Sequence, residues 1–403
     1  MPVSSTSKNI LFISTMTGSP WGGSEVLWYL TALKALKEGH EVSIYYKYWG
    51  DQESHHLSNL RSLGAEIRYY GQPKEDQLPV SFLDKLRHLI NRNSAFEIRK
   101  KERKDTREEP AGDHFYGVDV VCVSQGTTYD IVNRSDIREL IESLQKPYIL
   151  IAQFNYDYGF SLPMPKVELG KEIFRKAFKV VFVSETNKIF AEHQLFEDLS
   201  KRAHVLNNPF KVINKKPMAY PKSETMVFAS VARLHCKTKA LDIVIKCFAQ
   251  SEWKERNWVY HIYGSGPDEA YLKALIKFYK LENKVVLKGH QTDVTQIWEH
   301  SHILVLPSLA EGTPLSLQEA MICARPAIVT DIAGNTELVE NGHSGFVAEA
   351  PSFNSLSAIM NRAWKEQERW QEMGVEAFRY VKENLTLNPE HDLYEILIHA
   401  ASE

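Results

Sequence analysis

A short apolar run, a turn-forming loop and then a segment of helical spacing recur along most of this chain, and that alternation admits few folds. Residues 9–14 form the first apolar run, 26–36 carry apolar residues at helical spacing with Gly39 as a stop, and 42–46 are β-rich. Further strands are expected over 118–123, 148–152 and 180–183, the last leading into a helix from Glu185. Turn-formers and prolines crowd residues 207–225 and read as a linker. The rhythm then restarts. Strands are expected over 226–231, 258–263, 285–287, 303–306 and 327–329, with helices over 240–248, 269–279 and 315–321. Alternation of this kind favours parallel sheets covered by helices.

A chain of 403 residues exceeds what one core usually organises. The expected organisation is therefore α/β, with two Rossmann-like doubly wound domains facing across a cleft. They should span 1–206 and 207–385, with 386–403 as a helix crossing back to the first domain. A ligand belongs in the cleft, at the carboxyl ends of the strands.

The bulk properties exclude several classes. A formal charge of −3 gives no global field for nucleic acid. The start of the chain is polar and no run is apolar enough to span a bilayer, so a cytoplasmic protein is expected. Cys122, Cys236, Cys247 and Cys323 lack paired spacing and read as reduced thiols. One segment departs from the rhythm: residues 85–107 are rich in Arg and Lys with interleaved apolar residues. A basic amphipathic helix can lie on anionic lipid, on the cytosolic face of a membrane; the plainer reading is a solvated helix or insert.

The strongest chemical signal is Ser308-Leu-Ala-Glu311-Gly312-Thr313-Pro314-Leu315-Ser316-Leu-Gln-Glu319, directly after an apolar strand. Thr313 suits a helix N-cap and Pro314 the first helical position. The first-turn amides would then point into the crevice, where a diphosphate or sugar hydroxyl can accept from them. Glu311 in the loop and Glu319 in the helix lie on the order of 8 Å apart along the axis. Two carboxylates so placed can grip two hydroxylated ends of one elongated ligand.

A second strand, loop and helix follow at Val231-Ala-Arg233-Leu-His-Cys-Lys237-Thr-Lys239-Ala240. Arg233 can engage two diphosphate oxygens, with Lys239 or Lys237 acting as a point charge. Such cations stabilise charge that builds on a departing phosphate. A third signal, Trp21-Gly22-Gly23-Ser24-Glu25, follows the first strand, and its glycines permit close approach of a ligand to the backbone. It is not a P-loop, because no Gly-Lys-Ser/Thr follows.

These segments, with Gly264-Ser-Gly266-Pro and Asp331-Ile-Ala-Gly334-Asn-Thr-Glu337, resemble glycosyltransferase family 4, the retaining transferases of the GT-B fold. The resemblance implies transfer of a hexose-type sugar from a UDP- or GDP-sugar to a saccharide or lipid-linked acceptor, in polysaccharide or glycoconjugate biosynthesis. It implies no metal or other cofactor, and no Asp-x-Asp pair is present. On it, Glu319 would bind the donor ribose, and Glu311 with the amides of Gly312, Thr313, Pro314 and Leu315 the transferred sugar. Arg233 and Lys239 would take the diphosphate, with Gly22, Gly23 and Gly264 also on the donor side. Glu311, Arg233 and Lys239 would be the catalytic groups. Ala240 stands where the family usually has Gly, and the N-terminal segments lack the His many members carry near the sugar. Gln153, Asn155 and Tyr156 follow a strand and are the acceptor candidates.

A nicotinamide dehydrogenase fails because no GxGxxG follows the first strand. The alternatives are a sugar-nucleotide epimerase on the same fold and a non-catalytic nucleotide-sugar-binding partner.

Overall fold

The computed structural model describes residues 7–50, 53–71, 115–155, 160–212 and 216–403. The basic segment 85–107 lies outside them. The N-terminal sheet contains β1 (Asn9–Ser14), β2 (Glu41–Lys47), β3 (Glu66–Tyr70), β4 (Val120–Gln125), β5 (Tyr148–Ala152), β6 (Lys179–Phe182) and β7 (Ala203–Val205). The second sheet contains β8 (Met226–Val231), β9 (Trp258–Tyr263), β10 (Val285–Gly289), β11 (Ile303–Leu306), β12 (Ala327–Thr330) and β13 (Gly345–Ala348). Strand order is β3-β2-β1-β4-β5-β6-β7 in the first and β10-β9-β8-β11-β12-β13 in the second, and every pairing is parallel. Both are doubly wound, as expected, so the direction of winding reverses between β1 and β4 and again between β8 and β11.

Burial follows the twofold period of a strand. Ile10 and Phe12 enter one core while Leu11 and Ile13 enter the core on the opposite face. In the second sheet Ile303 and Val305 face one side, Leu304 and Leu306 the other. Each sheet is thus apolar on both faces and helix-covered on both, which is why its strands read as continuous apolar runs. Among the described residues no helix is long and apolar enough to cross a membrane, and the four cysteines are free.

The chain passes between the sheets twice, and the passages are tied to each other. Asn207 Nδ2 donates to the Thr386 carbonyl at 2.9 Å, and the Thr386 amide returns a hydrogen bond to Asn207 Oδ1 at 3.0 Å. The final helix, Pro389–Ala400, buries Leu393, Tyr394 and Leu397 in a core of the N-terminal sheet. Its position is fixed by polar contacts as well. Tyr394 Oη lies 2.8 Å from His40 Nε2, and Lys8 Nζ donates to the Ala401 carbonyl.

Two buried charged groups show how the cores tolerate polarity. Arg325 is fully buried and makes no ion pair among the described residues; its guanidinium donates to the carbonyls of Trp298, Cys323, Ala324, Met218 and Ala219. The last two belong to the stretch between the domains, so one side chain pins that stretch to the second sheet. Arg325→Ala strands those acceptors. We expect it to cost about 3 kcal/mol or more by urea denaturation, and a loss under about 1 kcal/mol would refute this role.

Glu25 is buried at the start of the helix Val26–Lys37, with the Trp28 indole N–H donating to it at 3.0 Å. Burial pushes its carboxyl up to about 7, against the opposing effect of the Trp28 hydrogen bond and of the neighbouring hydroxyl groups. A raised folded-state pKa means that this stabilisation is complete below the ordinary value of 4.5 and is lost as pH rises through 7. The parent should therefore lose on the order of 2–3 kcal/mol more than Glu25→Gln between pH 5 and pH 8. Parallel stability profiles for the two proteins would contradict the assignment.

Candidate functional site

The two winding reversals face each other across a cavity of about 710 Å³ lined from both domains. After β1 come Trp21, Gly22 and Gly23; after β4 and β5, Gly126 and Gln153. The opposite wall is formed by Arg233 and Lys239 after β8, Gly264 after β9, and the run from Glu311 to Ser316 with Glu319 after β11. Every donor-side residue expected from sequence lines this one cavity. Lys237 is exposed and absent from the lining, which leaves Lys239 as the cation of that loop.

The helix Leu315–Ile322 is buried along its length, including Gln318 and Glu319. Leu317 and Gln318 N–H donate to the Pro314 carbonyl, which leaves the amides of Leu315 and Ser316 as the first-turn donors at the cavity wall. The capping differs from the expectation. Pro314 is the cap residue, in extended backbone, and the Thr313 hydroxyl donates to the Val183 carbonyl of the N-terminal domain instead of to the helix. Thr313 therefore bridges the domains, because an acceptor from the facing sheet lies within its reach.

The two carboxylates have unequal surroundings. Glu311 is 5% exposed and is held by the Lys239 ammonium and by the Ser308 hydroxyl, which donates at 2.6 Å. Glu319 is 2% exposed, with Lys211 Nζ 3.5 Å from its Oε1, and that oxygen has no hydrogen-bond donor among the described residues. Burial pushes the Glu319 carboxyl up, while Lys211 pulls it down. A buried carboxylate oxygen without a donor is costly unless something else supplies one. The cavity is where that donor can enter. Lys211 lies in the stretch read as a linker, and no motif marked it.

Backbone geometry explains the glycines. A Cβ on Gly264, whose φ is +136°, would lie 1.9 Å from the Ala232 carbonyl oxygen, and one on Gly266 2.5 Å from that of Leu234. These close approaches, with Leu234 N–H donating to the Ser265 carbonyl, shape the loop that presents Arg233. A Cβ on Gly23 would press on Leu315 across the cavity at 2.8 Å, so the Gly-Gly segment lies against the helix start as well as beside the ligand space. Ala240 occupies a left-handed conformation, with φ +46° and ψ 30°, between the turn Cys236–Lys239 and the helix Leu241–Phe248. Glycine adopts that conformation without strain, which gives a physical reason for the family preference that this chain departs from.

The N-terminal candidates divide. Gln153 lines the cavity and donates to the Ser24 carbonyl. Asn155 does not line it: its backbone bridges to Glu311 and its side-chain amide donates to Gln194. It therefore belongs to the contact between domains. Tyr156 lies outside the described residues.

Comparison with known proteins fits this geometry. Residues 213–379 match the family model for glycosyl transferases group 1. Over 194 residues the chain is 31% identical to an uncharacterized glycosyltransferase of Haemophilus influenzae, covering 46% of this chain and 54% of that protein. It is 26% identical over 234 residues to the GtfA subunit of a UDP-N-acetylglucosamine–peptide N-acetylglucosaminyltransferase of Streptococcus pneumoniae, covering 58% of this chain and 44% of the relative. The matches thus span about half the length of these relatives. Among solved structures, Anabaena HepE in complex with UDP-glucose superposes with a TM-score of 0.69 at 16% identity, covering 96% of this chain and 98% of HepE. Staphylococcus aureus TarM, in complex with UDP among other ligands, gives 0.69 at 15%, covering 98% and 100%. The paired winding reversals, the shared cavity and these matches together place residues 213–379 in the glycosyl transferases group 1 family, within a chain that has the GT-B fold.

Proposed function

We propose that this chain is a retaining glycosyltransferase that moves a hexose-type sugar from a nucleotide-sugar to a saccharide or lipid-linked acceptor, in polysaccharide or glycoconjugate biosynthesis. The observation that carries the reading is Glu319. A buried carboxylate midway along the helix Leu315–Ile322, on a residue that lines the cavity and with one oxygen lacking a donor among the described residues, fits the vicinal hydroxyls of a ribose, which donate where a phosphate would be repelled. HepE bound to UDP-glucose and TarM bound to UDP support a uridine donor within the UDP or GDP choice.

Arg233 makes no ion pair among the described residues, so its fork is free to take two diphosphate oxygens. Lys239 has three donors and uses one on Glu311, leaving the others for phosphate. As the glycosidic carbon–oxygen bond breaks, these cations and the amides at the helix start stabilise the charge that develops on the departing diphosphate. Glu311, oriented by Lys239 and Ser308, accepts from hydroxyls of the sugar being moved. The acceptor hydroxyl attacks from the face the diphosphate leaves and passes its proton to that leaving oxygen. On this reading the positive charge comes from side chains and backbone, and the reaction needs no metal.

The test begins with thermal shifts in UDP-, GDP- and ADP-sugars, since a ligand that binds the folded state raises its melting temperature. One of them should stabilise the protein. Glu319→Ala should then weaken that donor roughly tenfold or more. Arg233→Ala should lower kcat on the order of 10²-fold with a smaller effect on donor affinity. Release of free nucleoside diphosphate only when acceptor is present separates transfer from epimerisation. Parent-like behaviour of both variants would remove these roles.

A further inference from the structure

A second cavity, of about 670 Å³, opens on the N-terminal domain beyond the carboxyl end of β2, away from the nucleotide side of the cleft. Pro20 lines it, while the adjoining Ser19 and Trp21 line the main cavity, so one short segment forms a wall of both. That wall is fixed. The Tyr46 hydroxyl donates to the Pro20 carbonyl, and the Trp21 ring stacks on His56 at 3.9 Å, next to His55 of the second cavity.

The lining combines flat rings with one fixed acceptor. Tyr48, Trp49 and Tyr69 supply the rings, and the Trp49 indole N–H is buried without an acceptor among the described residues. Glu53 receives hydrogen bonds from both Nη2, at 2.7 Å, and Nε, at 3.5 Å, of Arg61, from the Ser58 hydroxyl at 3.1 Å and from the Tyr69 hydroxyl. The Arg61 hydrogen bond holds its carboxyl below the usual range, so it stays an anion in one orientation. The cations present are already engaged: Arg61 on Glu53, and Lys47 over the Trp49 ring at 4.3 Å. A phosphate entering here would face a fixed carboxylate and find no unengaged Lys or Arg among the described lining residues. A sugar ring suits it, since its C–H face packs on aromatic rings while its hydroxyls can exchange hydrogen bonds with the His55 imidazole of the lining.

We propose that this cavity is a saccharide subsite of the acceptor, holding a sugar unit remote from the one that receives the transferred residue. The word acceptor rests on the glycosyl-transfer reading; saccharide binding rests on the cavity alone. A single wall between the cavities lets one extended chain occupy both, so that acceptors of two or more units are favoured over monosaccharides.

The experiment titrates the full chain with free mono-, di- and trisaccharides of glucose, galactose, mannose and N-acetylglucosamine, following tryptophan fluorescence and saturation-transfer NMR. Inorganic phosphate serves as the anionic control. At least one oligosaccharide should bind. Trp49→Ala and His55→Ala should each weaken it on the order of tenfold, about the contribution of one aromatic contact. His55 carries no hydrogen bond among the described residues, so its variant decides the matter if Trp49→Ala melts early. No binding by any saccharide of the panel, unchanged affinity in His55→Ala, or phosphate competing for the site would overturn the proposal. Thermal shifts with UDP-, GDP- and ADP-sugars, run beside it, keep the readings apart. Their loss with saccharide binding intact removes the transferase assignment and leaves the subsite standing.

Discussion

The loop from Glu311 to Thr313 is pressed backbone to backbone against the N-terminal sheet, and much of the molecule is organised around that contact. A Cβ on Gly312 would lie 1.8 Å from the Gln153 carbonyl oxygen, so a residue with any side chain forces the domains apart. The neighbouring contacts converge on the same place. Glu311 bridges to Asn155, Thr313 donates to Val183, and the Gly334 amide donates to the Gly312 carbonyl. Glu337 reaches across to accept from the amides of Glu185 and Thr186, completing the start of a helix of the facing domain with a carboxylate from its own. The loop that presents Glu311 to the cavity is therefore also a hinge surface. Any opening of the cleft must move the Glu311 carboxylate with it.

The buried charges differ in how they are satisfied, and that difference sorts structure from function. Arg325 is surrounded by carbonyls and is complete. Glu311 is neutralised by Lys239 and oriented by Ser308. Glu319 has only a cation at 3.5 Å, and one oxygen lacks a donor. An unpaired buried acceptor opposes folding by roughly 1–3 kcal/mol, a cost that a ligand hydroxyl recovers. The position of that deficit, on a residue lining the cavity, is what the proposed orientation of a donor rests on: sugar and ribose on the carboxylates, diphosphate toward Arg233.

Much of this was legible in the residues. The strands of both sheets are apolar on each face, so runs such as 9–14, 148–152, 226–231 and 303–306 stood out and matched β1, β5, β8 and β11. Short or mixed strands did not. β7 has three residues and an exposed His204, and β3 alternates with polar positions at the sheet edge. The residues expected on the donor side line one cavity because each lies in the loop or helix that follows a strand. A doubly wound sheet carries all such positions to one edge.

Local pattern thus determined the two parallel sheets, the places where their loops converge, and the residue types at the cavity wall, because those depend on periodicity and on neighbours close in sequence. Contacts between distant segments were decided by the folded structure alone. Lys211 reaches Glu319, Thr313 leaves its own helix for a carbonyl 130 residues away, and Asn155 turns from the cavity to the domain contact. A side chain's hydrogen-bond partner is whichever group the packing brings within about 3 Å, and no spacing along the chain encodes that.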